Sequence, residues 1–171
     1  MNPLRTSVII LITVAGMLAL RSWVCEPVYI ASDSMAPTLT KGQHLFLDKL
    51  TFRFREPRRG EIISFTSPVG EEHGSVKRVI AVGADTVELR EKKVYLNGEA
   101  QDEEYAYYAR AGESLAGDDL GPLKVPAGTV FLLGDNRDNS NDSASWKNPA
   151  TGAPLYFLPL SEVTGKIRGF Y

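Results

Sequence analysis

From Val28 onward the apolar residues recur with a period of two, and no stretch keeps a helical period for more than about two turns. His44-Leu45-Phe46-Leu47, Glu61-Ile62-Ile63-Ser64-Phe65 and Val76-Lys77-Arg78-Val79-Ile80-Ala81-Val82 read as strands. So do residues 86–89, 93–96, 128–133 and 165–170. The first two of these are separated by a hairpin-like gap at 90–92, and Asn97-Gly98 is a turn signal directly after them. The chain holds fifteen glycines and ten prolines, most of which punctuate these segments. The expected fold is mostly β: folded antiparallel sheets forming a partly closed β domain.

One segment departs from that pattern at the start. Residues 8–20 are apolar apart from Thr13 and Gly16, with Arg5 before and Arg21 after. Counted from 6 to 25, the stretch makes roughly 30 Å of helix, enough to span a bilayer. A cleaved signal peptide is the alternative, but Arg21-Ser22-Trp23-Val24-Cys25-Glu26-Pro27 lacks the small residues a cleavage site needs. The expectation is one N-terminal transmembrane helix within an anchor at 1–27, with Arg21 and Trp23 at the interface, followed by a β-rich domain at 28–171.

Two stretches of that domain are irregular. Residues 101–121 carry Asp102, Glu103, Glu104, Glu113, Asp118 and Asp119 against Arg110, and read as an exposed acidic loop or small subdomain. Residues 144–159 read as an irregular insertion. The net charge of −2 argues against nucleic acid as the main ligand. Cys25 is the single cysteine, so an intrachain disulfide is excluded, and with only His44 and His73 beside it a Cys/His zinc site cannot close.

Three clusters carry possible chemistry. Ser32-Asp33-Ser34-Met35-Ala36-Pro37 is a rigid turn with two serines, either of which needs a base to become a nucleophile. His44 and His73 have no evident orienting partner. Lys77 interrupts an apolar strand next to Arg78, and strand alternation sends one of these cations toward the core or a cleft. Burial disfavours an ammonium, and lowering a lysine from about 10.4 to roughly 7–8 supplies a neutral base. The bland alternative is a lysine snorkelling from an edge strand. The third cluster, Gly134 to Ser143, is dense in side-chain donors and acceptors. It spaces Asp138, Ser140 and Asp142 like a calcium loop, but Ser143 replaces the turn glycine and Pro149 the bidentate glutamate, so no metal is expected.

Taken in order, these clusters resemble bacterial type I signal peptidases. The resemblance rests on Ile30-Ala31-Ser32-Asp33-Ser34-Met35-Ala36-Pro37-Thr38-Leu39, on Arg59-Gly60-Glu61-Ile62-Ile63-Ser64-Phe65 and on Lys77-Arg78-Val79-Ile80-Ala81-Val82-Gly83. It ends with Phe131-Leu132-Leu133-Gly134-Asp135-Asn136-Arg137-Asp138-Asn139-Ser140. It implies a membrane-anchored serine endopeptidase with Ser34 as nucleophile and Lys77 as general base, using no cofactor. Ser32 and the Ser34 N–H would form the oxyanion hole, Ser140 would orient the lysine, and Asp135, Arg137 and Asp142 would brace the loop. The implied partners are precursor proteins with signal peptides, cut after small residues at −1 and −3, and the lipid bilayer. The implied location is the bacterial cytoplasmic membrane, single-pass, with the catalytic domain extracytoplasmic. Asp33 stands where the family usually has glycine. A specialised processing peptidase of a pilus or conjugation system, or a non-enzymatic membrane-tethered β module, are the alternatives.

Overall fold

The computed structural model describes residues 3–70, 74–110, 112–115 and 117–170, apart from the side chains at 19, 20, 22 and 170. Helix α1 (Pro3–Trp23) leads into β1 (Cys25–Tyr29), β2 (His44–Asp48), the single turn α2 (Thr51–Phe54), β3 (Ile62–Phe65) and β4 (Ser75–Val82). Then come β5 (Thr86–Arg90), β6 (Lys93–Leu96), β7 (Glu99–Ala100), β8 (Leu120–Lys124), β9 (Thr129–Leu133), β10 (Leu158–Pro159) and β11 (Val163–Phe170).

The strands form two antiparallel sheets. One has seven strands in the order β1-β2-β11-β3-β4-β9-β10, the other four in the order β7-β6-β5-β8. Each order ends in two edge strands, so the described residues form two open sheets and no closed barrel. The turn between β6 and β7 is Asn97-Gly98, both residues at positive φ (53° and 87°), as the strand twist requires of a two-residue hairpin. The β5–β6 hairpin closes across Glu91-Lys92, because Arg90 pairs with Lys93.

The helix stops two residues earlier than an anchor running through Cys25 requires. Cys25 to Tyr29 instead pair with Asp48 to His44. Pro27 is accommodated because β1 is an edge strand, where a missing N–H costs no ladder bond. The described apolar side chains of α1 are exposed, Leu4 at 71% and Leu11 at 69%. Among the described residues, no helix is long and apolar enough to cross a membrane.

Strand alternation sorts the core into three clusters. Phe131 and Leu133 of β9 face the four-stranded sheet, packing with Val87, Val94 and Ile80. Val130 and Leu132 point the other way, onto Ile63, Phe65, Val79 and Trp146. Trp146 meets Phe65 edge-on at 5.6 Å, so the irregular 144–159 stretch contributes an aromatic to the interior. The third cluster holds Ile30, Met35 and Leu39 against Leu45, Leu47 and Ile167. Burying a side chain the size of Met35 contributes about 1.5–3 kcal/mol, and here that burial seats the turn carrying Ser34.

Candidate active site

The turn from Ile30 to Gln43 is closed by Ile30 N–H donating to Gln43 O and Gly42 N–H to Ile30 O, each at 2.9 Å. Within it, Leu39 N–H donates to Met35 O at 2.9 Å. With Met35 and Leu39 turned inward, Ser34 is left half-buried and Ser32 exposed. Their hydroxyl oxygens lie 3.2 Å apart.

Lys77 and Arg78 are adjacent on β4 and both are buried, at 5% and 9% exposure. Alternation gives each its own partner. The Lys77 Nζ lies 2.8 Å from Ser34 Oγ. The Arg78 guanidinium donates to both Asp135 carboxylate oxygens, at 2.8 and 2.6 Å, and to Gly60 O at 2.8 Å. The strand that carries the amine is thereby tied to the loop after β9 by a bidentate, charge-assisted contact.

That loop closes over the nucleophile. Asn136 donates its backbone N–H to Ser34 O and its side-chain amide to Asp33 O, both at 3.1 Å. Gly134 admits the approach, because a Cβ there would stand 2.5 Å from Ser34 O and against the Ser140 hydroxyl. The Asp142 carboxylate accepts from Gly134 N–H at 2.9 Å and Ala144 N–H at 3.2 Å. Burial pushes the Asp142 carboxyl above the usual carboxylate range, offset in part by Ser140, by the Gly134 N–H and by the Lys77 charge. Ser140 Oγ is buried close to Asp142, yet finds no partner at normal hydrogen-bond geometry among the described residues. Arg137 pairs with Glu103 through two hydrogen bonds of 2.8 Å.

A groove of about 580 Å³ opens onto Ser34 and Lys77, walled by Val28 to Ser32 on one side and Gly74 to Val76 on the other. The Asp33 carboxylate turns to the Lys41 N–H, at 3.3 Å. His44 is exposed at the start of β2, its ring 5.3 Å from that of Tyr29; His73 lies outside the described residues.

Of the residues singled out from sequence, the fold gathers Ser32, Ser34, Lys77, Asp135, Arg137, Ser140 and Asp142 around one loop and one strand. The expected site residues do not include Glu103, Tyr105 or Lys92. Tyr105, Tyr107 and Tyr108 inside an acidic stretch were the available signal, since three aromatics in four positions suit a packed surface better than a solvated loop.

Comparison with known proteins follows the same lines. A family model described as signal peptidase, peptidase S26, matches residues 4–171. A probable signal peptidase I-1 of Synechocystis is 37% identical over 164 residues, covering 92% of this chain and 76% of that protein. A signal peptidase I of Bacillus licheniformis is 34% identical over 165 residues, covering 90% and 88%. The crystal structure of a signal peptidase I from Enterococcus faecalis superposes with a TM-score of 0.51 at 30% identity, over 67% of this chain and 98% of that one. The chain therefore belongs to the signal peptidase family, peptidase S26.

Proposed function

We propose that this chain is a serine endopeptidase that removes signal peptides from exported precursors, with Ser34 as nucleophile and Lys77 as base. The observation that carries this reading is the 2.8 Å separation of Lys77 Nζ from Ser34 Oγ, with the lysine buried at the end of an open groove.

To act as base Lys77 must be in its neutral form, in which the contact runs from the Ser34 O–H to Lys77 Nζ. As Ser34 Oγ attacks the scissile carbonyl carbon, its proton passes to Lys77. The developing oxyanion is held by the Ser34 N–H and the Ser32 hydroxyl, which lies on the same rim. Lys77 then gives its proton to the departing amine, leaving an ester on Ser34. A water, deprotonated by Lys77, attacks that ester; as the C–Oγ bond breaks, Lys77 returns the proton to Ser34 Oγ and the acyl fragment leaves as a carboxylate. Asp135, Arg137 and Asp142 keep the loop in place; Ser140, which the resemblance casts as the group orienting the lysine, makes no hydrogen bond to it among the described residues.

An extended substrate lies in the groove beside Gly74–Lys77, adding main-chain hydrogen bonds in the manner of an extra strand. Small residues at −1 and −3 suit its shallow apolar walls. Helix α1 is the membrane anchor, in keeping with its exposed apolar side chains, while Cys25–Pro27 belong to β1, and the catalytic domain works on the extracytoplasmic face of the bacterial cytoplasmic membrane. Incubation of the detergent-solubilised chain with a precursor protein tests the reading. Cleavage by wild type and none by Ser34→Ala is expected; equal cleavage by both contradicts it.

A further inference from the structure

The acidic segment 101–121 is partly exposed, but its first third is docked on the loop that covers Ser34. Tyr107 forms an isolated bridge with Asn136, its N–H donating to Asp135 O at 2.7 Å and its carbonyl accepting from Arg137 N–H at 3.0 Å. Side chains extend the contact. The Arg78 guanidinium sits 3.9 Å from the centre of the Tyr105 ring, on which it stacks as a cation. The Tyr105 hydroxyl donates to Glu103 at 2.7 Å. Glu103 takes both terminal nitrogens of Arg137, whose Nε donates to Gly134 O at 3.2 Å. The Glu103 and Arg137 side chains are only 7% and 5% exposed. Burial pushes the Tyr105 phenol above its usual value, which keeps it protonated and able to donate.

A continuous relay thus runs from Arg78, next to Lys77 on β4, through Tyr105, Glu103 and Arg137 to Gly134, which lies against the Ser34 carbonyl. We infer that Glu103 and Tyr105 are positioning residues for the reaction, setting the strand that carries the base against the loop that holds the nucleophile. The inference rests on the Ser34/Lys77 reading above. Neither residue touches the groove, so their contribution is to the distance between reacting groups and not to substrate binding. Displacements on the scale of an ångström at a catalytic pair cost on the order of 10²-fold in rate.

The test is steady-state cleavage of a synthetic precursor peptide with Ala at −3 and −1, by the full chain in detergent. The proteins compared are wild type, Ser34→Ala, Glu103→Gln, Tyr105→Leu and Glu103→Gln/Arg137→Gln. The double variant guards against misfolding, because it removes both buried charges together and leaves neither unpaired. Near-ultraviolet circular dichroism establishes the folded fraction of each at the assay temperature. The expected result is a kcat lower by roughly 10- to 100-fold in the folded variants, with KM within about twofold of wild type. Wild-type kcat in the folded double variant overturns the inference. So does a loss that follows the unfolded fraction and disappears on cooling, which marks a purely structural role. Wild type no faster than Ser34→Ala removes the peptidase reading itself and the inference with it.

Discussion

Arg78 and Asp135, 57 positions apart, meet in the interior through two parallel hydrogen bonds of 2.8 and 2.6 Å. The Asp135 side chain is 1% exposed, so its replacement by asparagine leaves a buried guanidinium without its counter-charge. Breaking such a pair costs about 3–5 kcal/mol. Urea unfolding of Asp135→Asn should show a loss of that size. A loss below about 1 kcal/mol would mean that Gly60 O and the Tyr105 ring satisfy Arg78 by themselves.

Gly134 is required by proximity, not by its backbone angles. A methyl group there would stand 2.5 Å from Ser34 O and would collide with the Ser140 side chain, so either the nucleophile turn or the loop must move. Gly134→Ala should lower kcat by at least ~100-fold in protein that still folds. A near-wild-type kcat would show that the loop gives way without disturbing Ser34.

Asp33 adjoins the nucleophile, but its carboxylate accepts from the Lys41 N–H. A carboxylate close to Lys77 would favour the ammonium form, and its removal would move the acidic limb of activity to lower pH. With the side chain turned away, Asp33→Gly should leave the limb of kcat/KM against pH where it is. A shift to lower pH would place the Asp33 charge within reach of the amine.

Glu61 ties the entrance of β3 to its surroundings, accepting from Arg55 at 2.8 and 2.6 Å, from Lys166 at 2.6 Å and from the Arg58 N–H at 2.9 Å. The Arg55 hydrogen bonds, opposed by burial and helped by Lys166, hold its pKa down to about 2. A carboxyl whose folded value lies below its unfolded one stabilises the fold above the unfolded value of about 4.5, and that stability fades as pH falls toward 2. The urea midpoint of wild type should therefore drop between pH 5 and pH 2 more steeply than that of Glu61→Gln. Parallel curves would show that Glu61 is titrating as it does in the unfolded chain.

The strands were legible because each carries a run or alternation of apolar residues, on one face in β2 and on both in β9: 44–47, 76–82 and 128–133 lie within one residue of β2, β4 and β9. β1 was not, since Cys25 to Tyr29 follows directly on an apolar helix and contains a proline that reads as a stop. Its partner β2 is what makes it a strand. The Glu91-Lys92 turn was blurred for a similar reason. Two non-glycine residues hold φ at 47° and 69°, and Lys92 reaches Asp138 at 2.7 Å across 46 positions, a contact no local pattern carries. The charge of segment 101–121 describes an isolated loop; the cations that dock it, Arg78 and Arg137, belong to distant motifs. Ser34 read alone is a turn serine, and Lys77 alone a strand cation. Only the order of the motifs links them before the fold sets one beside the other.

The most direct measurement is the kcat of Lys77 variants on a precursor peptide, in protein whose folding is verified. If Lys77 takes the Ser34 proton, Lys77→Ala and Lys77→Arg should each lose roughly 10²–10⁴-fold or more, because a methyl group cannot accept a proton and a guanidinium stays charged. Combining either with Ser34→Ala should add little, as the two groups act as one unit. A folded Lys77→Arg that cleaves at close to the wild-type rate would contradict the assignment of the base.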